Sequence, residues 1–290
     1  MNLLKLGIPK GSLEESTLRL FEKSGWKITT ADRNYFPEIN DRDIACSIVR
    51  AQEMPIHVEN GTIDAGITGK DWVEESESDV VIISDLMYSK STNKPTRWVL
   101  AVDAHSDAKE PSDLQGKKIA TELVNFTRKY FAERNIDVKV AFSWGTTEAK
   151  VAAGLADAVV EVTETGSTIR AHGLKIIHEL MQSNTVMIAN KASWEDPWKR
   201  NKIQQIVLLL KGALRAESMV GLKMNAPKEL LDRIIELLPS ITSPTVANLF
   251  QSEWMSIEVI VHADKVRDLI PQLLKAGAVG IIEYPLHKVI

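Results

Sequence analysis

The stretch Ala158-Val-Val-Glu-Val-Thr-Glu-Thr-Gly-Ser-Thr168 runs from a β-branched apolar segment into a turn of hydroxyl residues, and a short helical pattern follows. A strand, a turn and a helix in this order are typical of open α/β sheets, which bind ligands at the carboxyl ends of their strands. The helix N-terminus and the hydroxyls of Thr165, Ser167 and Thr168 favour an anion, and Gly166 allows its close approach. The alternative is an ordinary capped turn.

Strand and helix patterns alternate on the N-terminal side of this stretch. Apolar runs at Leu3–Ile8, Ile44–Val49 and Ile63–Thr68 are separated by helical patterns. This alternation predicts a mostly parallel sheet with helices on its faces. A second unit of similar plan opens at Arg97–Val102, and we expect the chain to cross back to the first sheet at Ser183–Ala189. Two lobes with a cleft between them are therefore predicted.

The pattern changes after Gly212, which is expected to close the long helix that contains Ile203–Leu210. From Val220–Met224 onward the order is βαββαβ, the ferredoxin-like motif. Pro271 should kink the second helix of this motif. The predicted division is residues 1–96 with 183–211 as the first lobe, 97–182 as the second lobe, and 212–290 as a further domain.

Composition excludes several classes of protein. The 290 residues carry a formal net charge of −4, which gives no indication of a nucleic-acid partner. The single cysteine, Cys46, lies in an apolar run and is expected to be inert core. No apolar run reaches the roughly 20 residues that cross a bilayer, and residues 1–12 show no signal-peptide pattern. A soluble cytoplasmic protein is therefore expected.

Two further loops follow predicted strands. The stretch Asp64-Ala-Gly-Ile-Thr-Gly-Lys-Asp71 is not a Walker A loop, because aspartates stand where that motif requires glycine and serine or threonine. It either lines a ligand cleft or makes a tight turn. Pro9-Lys10-Gly11-Ser12 and Arg50 follow two other strands. Cations and glycine loops at strand ends would suit a polyanionic ligand, although loop cations are more often simply solvated.

The sequence offers no sign of covalent or metal-centred catalysis. The six histidines form none of the usual metal-ligand spacings, and no G-x-S-x-G motif is present. The tryptophans fall at the edges of segments, and we interpret them as packing residues.

The chain resembles the ATP phosphoribosyltransferases, the first enzymes of histidine biosynthesis. The resemblance covers nearly the whole chain. It rests on motifs that occur in the family's order: Leu6-Gly-Ile-Pro-Lys-Gly-Ser-Leu13, Val49-Arg-Ala-Gln-Glu-Met-Pro-Ile56, Gly61–Trp72 and Glu161–Thr168. Ser243–Leu249 and Gly277–Ile282 look like the regulatory domain of the long form.

The resemblance implies a fold and a reaction. The fold would be a two-lobed, type II periplasmic-binding-protein-like catalytic unit with an ACT-like, ferredoxin-like regulatory domain. The family couples ATP with phosphoribosyl pyrophosphate (PRPP) in the presence of Mg²⁺. Adenine N1 attacks the anomeric carbon as pyrophosphate leaves, and phosphoribosyl-ATP forms with inversion. This chemistry needs no protein nucleophile, in keeping with the sequence.

The resemblance also implies roles for particular residues. Glu161 would hold the ribose hydroxyls of PRPP and could contribute to Mg²⁺, which the substrates mainly hold. Val160 precedes it, so the adjacent pair of acids found in phosphoribosyltransferases of another fold is absent. The 5′-phosphate loop would comprise Thr165, Gly166, Ser167 and Thr168. The cleft around ATP and pyrophosphate would include Lys10, Gly11, Arg50, Asp64, Gly69 and Lys70.

Regulation is implied by the C-terminal domain. It would bind L-histidine as a feedback inhibitor near Thr245, Ala247 and Asn248, and the family implies a homo-hexamer that exchanges with dimers. The alternatives are a non-catalytic two-lobed small-molecule-binding protein with an amino-acid-sensing domain, and a phosphoribosyltransferase that acts on another base.

Overall fold

The computed structural model describes residues 2–30, 35–88, 95–239 and 243–290. The chain forms two compact units. Unit 1 comprises Met1–Glu22 and Trp26–Val207, and unit 2 comprises Lys23–Gly25 and Leu208–Ile290. The predicted boundaries at residues 96, 182 and 211 stay a prediction.

The elements up to the long helix alternate between strand and helix, as the sequence predicts. In chain order they are β1 (Leu4–Lys10), α1 (Glu14–Ser24), β2 (Ile28–Thr29), β3 (Glu38–Ile39), β4 (Ile44–Arg50), α2 (Met54–Glu59), β5 (Ala65–Gly69), α3 (Lys70–Ser76), β6 (Val81–Leu86), β7 (Thr96–Asp103), β8 (Lys118–Thr121), α4 (Val124–Ala132), β9 (Lys139–Phe142), α5 (Ala149–Ala152), β10 (Ala158–Thr163), α6 (Ser167–Ala171), β11 (Leu174–Ser183), β12 (Thr185–Ala189), α7 (Lys191–Glu195) and α8 (Pro197–Ala216).

The first sheet has the strand order β4-β1-β5-β12-β6. Its central strands β5 and β12 are wholly buried, since helices cover the sheet. The chain returns to this sheet after the second one, because β12 lies between β5 and β6. β12 runs antiparallel to both neighbours, whereas β4, β1 and β5 are parallel.

The second sheet has the order β11-β7-β10-β8-β9 and its own buried core, with Trp98, Leu100 and Phe131 among its members. β7 is antiparallel to both neighbours, whereas β10, β8 and β9 are parallel. Four of the five strands in each sheet therefore run in one direction, and the expectation of mostly parallel sheets is confirmed. The exceptions, β7 and β12, are the strands that enter each sheet directly after the chain crosses over, so they arrive from the opposite direction.

The C-terminal unit forms a four-stranded antiparallel sheet with the order β14-β15-β13-β16. Two helices pack on one face around Leu222, Ile257 and Leu273. The predicted βαββαβ order is confirmed, and α10 continues through Pro271. The elements are β13 (Met219–Pro227), α9 (Leu231–Ile235), β14 (Thr245–Asn248), β15 (Trp254–His262), α10 (Ala263–Ala276) and β16 (Val279–Pro285).

Two details of the sequence prediction are wrong. The ten-residue strand β11 was missed, because two register shifts against β7 break its alternation of buried and exposed residues. Helix α8 does not end at Gly212 but continues to Ala216. That glycine serves close packing instead, since a Cβ there would clash with Cδ1 of Ile290.

Candidate functional site

A cavity of about 820 Å³ lies in unit 1, lined by strand ends of both five-stranded sheets. Its volume is within the range of small-molecule sites. Seven of the predicted site residues line it: Lys10, Gly11, Arg50, Gly69, Thr165, Ser167 and Thr168. The structure thus brings together residues that are more than 150 positions apart in the sequence.

Lys10 and Arg50 form a pair of cations on the first-sheet side of the cavity. They end the parallel strands β1 and β4 and stand opposite each other at the last register position. Side chains at matched positions of parallel neighbours point to the same face. Each cation lies over an aromatic ring, Lys10 Nζ 4.4 Å from the ring centre of Tyr35 and Arg50 Cζ 4.8 Å from that of Trp144.

The loop between β10 and α6 presents hydroxyl groups on the other side. Gly166 adopts φ +74°, a conformation that side chains disfavour, and its N–H donates to Thr163 Oγ1 at 2.8 Å. Its own backbone is buried and does not line the cavity, so it shapes the turn. The exposed hydroxyls of Thr165 and Ser167 lie 2.9 Å apart, and Arg170 donates to the carbonyl of Thr165 at 3.2 Å.

Glu161 lies just before this loop in an acidic environment. Burial, together with repulsion by Glu122 and Glu148, raises its pKa to about 7, although a hydrogen bond from Thr147 acts in the opposite direction. Burial also raises the pKa of Glu122, which lines the cavity. Such carboxylates gain from ribose hydroxyl donors or from a cation.

Sequence reasoning missed Asp71, which lines the cavity where the chain crosses between sheets. The carboxylate accepts a hydrogen bond from Trp98 Nε1 at 2.7 Å, and its backbone N–H donates to Ser183 Oγ at 3.1 Å. Burial raises the pKa of Asp71. It follows the glycine of β5, but no sequence pattern separates it from a surface acid at a helix N-terminus.

Asp64 does not lie in the cleft, contrary to expectation. It precedes β5 at the opposite end of that strand, is 3% exposed, and pairs with Lys199 Nζ at 2.7 Å. Lys5 N–H and Ser193 Oγ also donate to it, at 2.8 and 2.7 Å. Burial alone would raise its pKa, but these donors hold the pKa below its usual value. Asp64 therefore stabilises the fold.

Lys70 is likewise outside the cavity lining. It begins α3 and is half-buried, and its backbone N–H donates to the carbonyl of Asn184 at 3.0 Å. The neighbouring Asn184 and Thr185, which were not predicted, do line the cavity.

The three residues suggested for histidine lie on β14, an edge strand of unit 2, and all are exposed. Thr245 stands opposite Glu258 and Ala247 opposite Ser256. Thr245 and Ala247 share the face that the helices leave open, because the alternate Val246 pairs with the buried Ile257. Asn248 falls on the same face as Val246, at the end of the strand.

The described residues contain no cluster of three or more His, Cys, Asp or Glu side chains suited to a metal ion. Mg²⁺ commonly binds through one or two carboxylates together with substrate phosphates, and the acidic pair Glu161 and Glu122 fits that mode. Throughout the described ranges, each helix is too short or too polar to cross a membrane.

Comparison with known proteins gives consistent matches. Residues 50–212 match the family model described as ATP phosphoribosyltransferase (HisG), and residues 216–288 match that described as the HisG C-terminal domain. The chain is 63% identical over 286 residues to the ATP phosphoribosyltransferase of Desulfatibacillum aliphaticivorans, covering 99% of this chain and 98% of that protein. It is 63% identical over 289 residues to that of Solidesulfovibrio magneticus, covering 100% and 99%.

A solved structure is also similar. The ATP phosphoribosyl transferase (HisG:HisZ) complex from Thermotoga maritima aligns with a TM-score of 0.62 and 26% identity, over 72% of this chain and 99% of that chain.

Proposed function

The chain belongs to the ATP phosphoribosyltransferase family, and we propose that it transfers the phosphoribosyl group of PRPP to N1 of ATP. The products are phosphoribosyl-ATP and pyrophosphate, in the first step of L-histidine biosynthesis. One observation carries the assignment of the site. A hydroxyl-rich loop on one sheet and a pair of cations on the other line the same cavity.

The loop holds the 5′-phosphate of PRPP in this proposal. Thr165, Ser167 and Thr168 supply hydroxyl donors at the start of α6, where the helix dipole favours negative charge. Gly166 permits the tight turn that aims them into the cavity. These residues bind the end of PRPP that does not react, so they orient the anomeric carbon.

Lys10 and Arg50 hold the triphosphate of ATP and the departing pyrophosphate. Both are exposed and adjacent, and both lie on the side of the cavity opposite the loop. Positive charge that faces the leaving group stabilises the charge that develops on it in the transition state. The remaining contribution is positioning, since holding two reactants in line supplies much of a barrier's reduction.

Glu161 accepts hydrogen bonds from the ribose hydroxyls, and Glu122 lies close enough to repel it. Mg²⁺ bound by the substrates' phosphates, with one or both of these carboxylates, would neutralise pyrophosphate as it leaves. The carboxylates themselves fix the ribose ring and so present its anomeric carbon to the base.

Histidine would bind to unit 2 near Thr245, Ala247 and Asn248 and inhibit the enzyme. Feedback of this kind requires two global states with different affinity for histidine. We further propose a cytoplasmic homo-hexamer in exchange with dimers. The exposed edge strand β14 is compatible with a ligand or a neighbouring chain beside it.

The test is an absorbance assay with ATP, PRPP and Mg²⁺. We expect phosphoribosyl-ATP to accumulate, the rate to fall when Mg²⁺ is chelated, and added histidine to stop it. A folded protein without turnover would reject the enzyme and favour a binding protein. Turnover that histidine does not change would leave the catalytic assignment and reject the regulatory one.

A further inference from the structure

Trp144 differs from the other aromatic residues of the cavity. Among the described residues the aromatic lining consists of Trp72, Tyr88, Trp98 and Trp144, and of these only Trp144 is exposed. Its exposed fraction is 59%, against 4% for Tyr88 and 1% for Trp98. The packing role expected for the tryptophans is therefore wrong here. An open indole on a cavity wall is a surface for a flat ligand.

The position of Trp144 relates it to the phosphate loop. It follows β9, whereas the loop follows β10, and β8 lies between these two strands. Two strand spacings are ~10 Å, the scale of one ribose phosphate. A base on Trp144 would therefore reach the anomeric carbon of a PRPP whose 5′-phosphate lies at Thr165–Thr168.

Arg50 occupies a face of this indole in the structure, at 4.8 Å from the ring centre. The contact joins the two sheets across the cavity, since Arg50 ends β4 and Trp144 follows β9. Cation–π contacts at exposed sites are weaker than charge-assisted hydrogen bonds to phosphate. A triphosphate can therefore draw the guanidinium away and free the ring.

We propose that Trp144 is the stacking platform for the adenine ring of ATP, and that Arg50 covers it until the triphosphate binds. Adenine is the only aromatic part of either substrate, so the platform sets specificity for the nucleotide and not for PRPP. This inference rests on the proposed function.

Calorimetry on the full-length enzyme tests the proposal with three ligands. For Trp144→Ala we expect the dissociation constant of ATP to rise ~5- to 150-fold, the range measured for loss of one base stack. Trp144→Phe should retain most of the affinity, whereas Trp144→Leu should not. The dissociation constant of PRPP, which lacks a base, should stay unchanged in all three variants. That of inorganic tripolyphosphate should not rise in any of them and should fall in Trp144→Ala, because Arg50 then has no ring to leave.

Phe250→Ala is the matched control, because Phe250 is 88% exposed and lies in unit 2. It should change none of these constants. Unchanged ATP affinity in Trp144→Ala, or equal weakening of ATP and PRPP, would overturn the platform. Turnover by the wild-type enzyme is measured in parallel. Absence of wild-type turnover would reject the proposed function. Wild-type turnover together with an unchanged dissociation constant of ATP in Trp144→Ala would reject the platform alone.

Discussion

The two ends of β5 carry aspartates with opposite properties. Asp64 precedes the strand and has a lowered pKa, because Lys199, Lys5 N–H and Ser193 donate to it. Asp71 follows the strand and has a raised pKa, because it is buried with neutral donors such as Trp98. The charged carboxylate of Asp64 is therefore stabilised by its partners, whereas the charged carboxylate of Asp71 is destabilised by burial.

This difference separates stability from function along one strand. The end at Asp64 is closed by the ion pair with Lys199 and two further hydrogen bonds, and it stands apart from the cavity. The end at Asp71 adjoins both the cavity and the crossing between the sheets. Ligands of open α/β sheets bind at the carboxyl ends of strands, and the opposite ends are free to stabilise the fold.

The largest effect is expected from Asp64→Ala. Removing one partner of a buried ion pair leaves an unpaired charge and costs about 3–5 kcal/mol. The free energy of unfolding, measured with denaturant, should fall by that amount, while KM for ATP and PRPP should not change. The control is Asp79→Ala, which breaks the exposed pair with Lys191 and should cost less than about 1 kcal/mol. Equal losses in both variants would contradict the structural role.

The next effect is expected from Gly166→Val. The side chain would force strain at φ +74° and crowd Arg170 and Ile176, which would displace the phosphate loop. A displacement of this kind can cost about 100-fold in kcat/KM for PRPP. Gly116→Val is matched in conformation at φ +75°, with nothing within 4 Å of the added carbon. Gly116→Val should lower the stability of the protein without lowering kcat/KM for PRPP. Equal values of kcat/KM for PRPP in the two variants would argue against the phosphate loop.

A smaller effect, opposite in sign at the two ends, is expected from Asp64→Asn and Asp71→Asn. The lowered pKa of Asp64 stabilises the folded state at pH values above the usual aspartate pKa. This stabilisation is lost as the pH falls through the pKa of Asp64 in the folded state. The raised pKa of Asp71 makes the protein lose stability as pH rises from about 4. Asparagine at 71 should therefore gain stability over wild type with rising pH, while asparagine at 64 loses it. If the stabilities of the two variants, relative to wild type, changed with pH in the same direction, the contrast between Asp64 and Asp71 would be contradicted.

The smallest effect is expected from Glu161→Gln. The folded-state pKa of about 7 means that wild type loses stability between about pH 4.5 and pH 7, as Glu161 ionises beside Glu122. At pH 8 the variant should be more stable by about 1 kcal/mol, or roughly 2–4 °C in Tm, and turnover should fall. The control is Glu195→Gln, an exposed acid outside the cavity, which should leave turnover unchanged. A stability difference between Glu161→Gln and wild type that is the same at pH 4.5 and at pH 8 would be inconsistent with the raised pKa of Glu161.

Local patterns in the sequence suffice for much of the fold. The alternation of apolar runs and helical stripes predicts β1, β4, β5 and β10, because buried strands and amphipathic helices have distinct periods. Strand direction and the bulged strand β11 escape such reasoning, since pairing partners and register shifts are set by distant residues. Gly212 shows the same limit. A glycine that packs closely against a distant residue, here Ile290, looks the same in the sequence as a glycine that ends a helix.

The candidate site divides in the same way. The loop at Thr165–Thr168 follows a strand, and Lys10 and Arg50 end two others, so their place at the cavity is predictable. The prediction for Asp64 is wrong because its motif spans the whole of β5, so that its first and last residues lie at opposite ends of the strand. Trp144 was read as packing because exposure is not visible in the sequence.

The most direct test of the account is the rate of phosphoribosyl-ATP formation by wild type, Asp64→Asn and Gly166→Val at one pH, with Tm recorded for each. The account predicts turnover in wild type, a lowered Tm with normal KM in Asp64→Asn, and a loss of about 100-fold in kcat/KM for PRPP in folded Gly166→Val. Full activity in Gly166→Val, or a raised KM in Asp64→Asn at temperatures where it is folded, would contradict it.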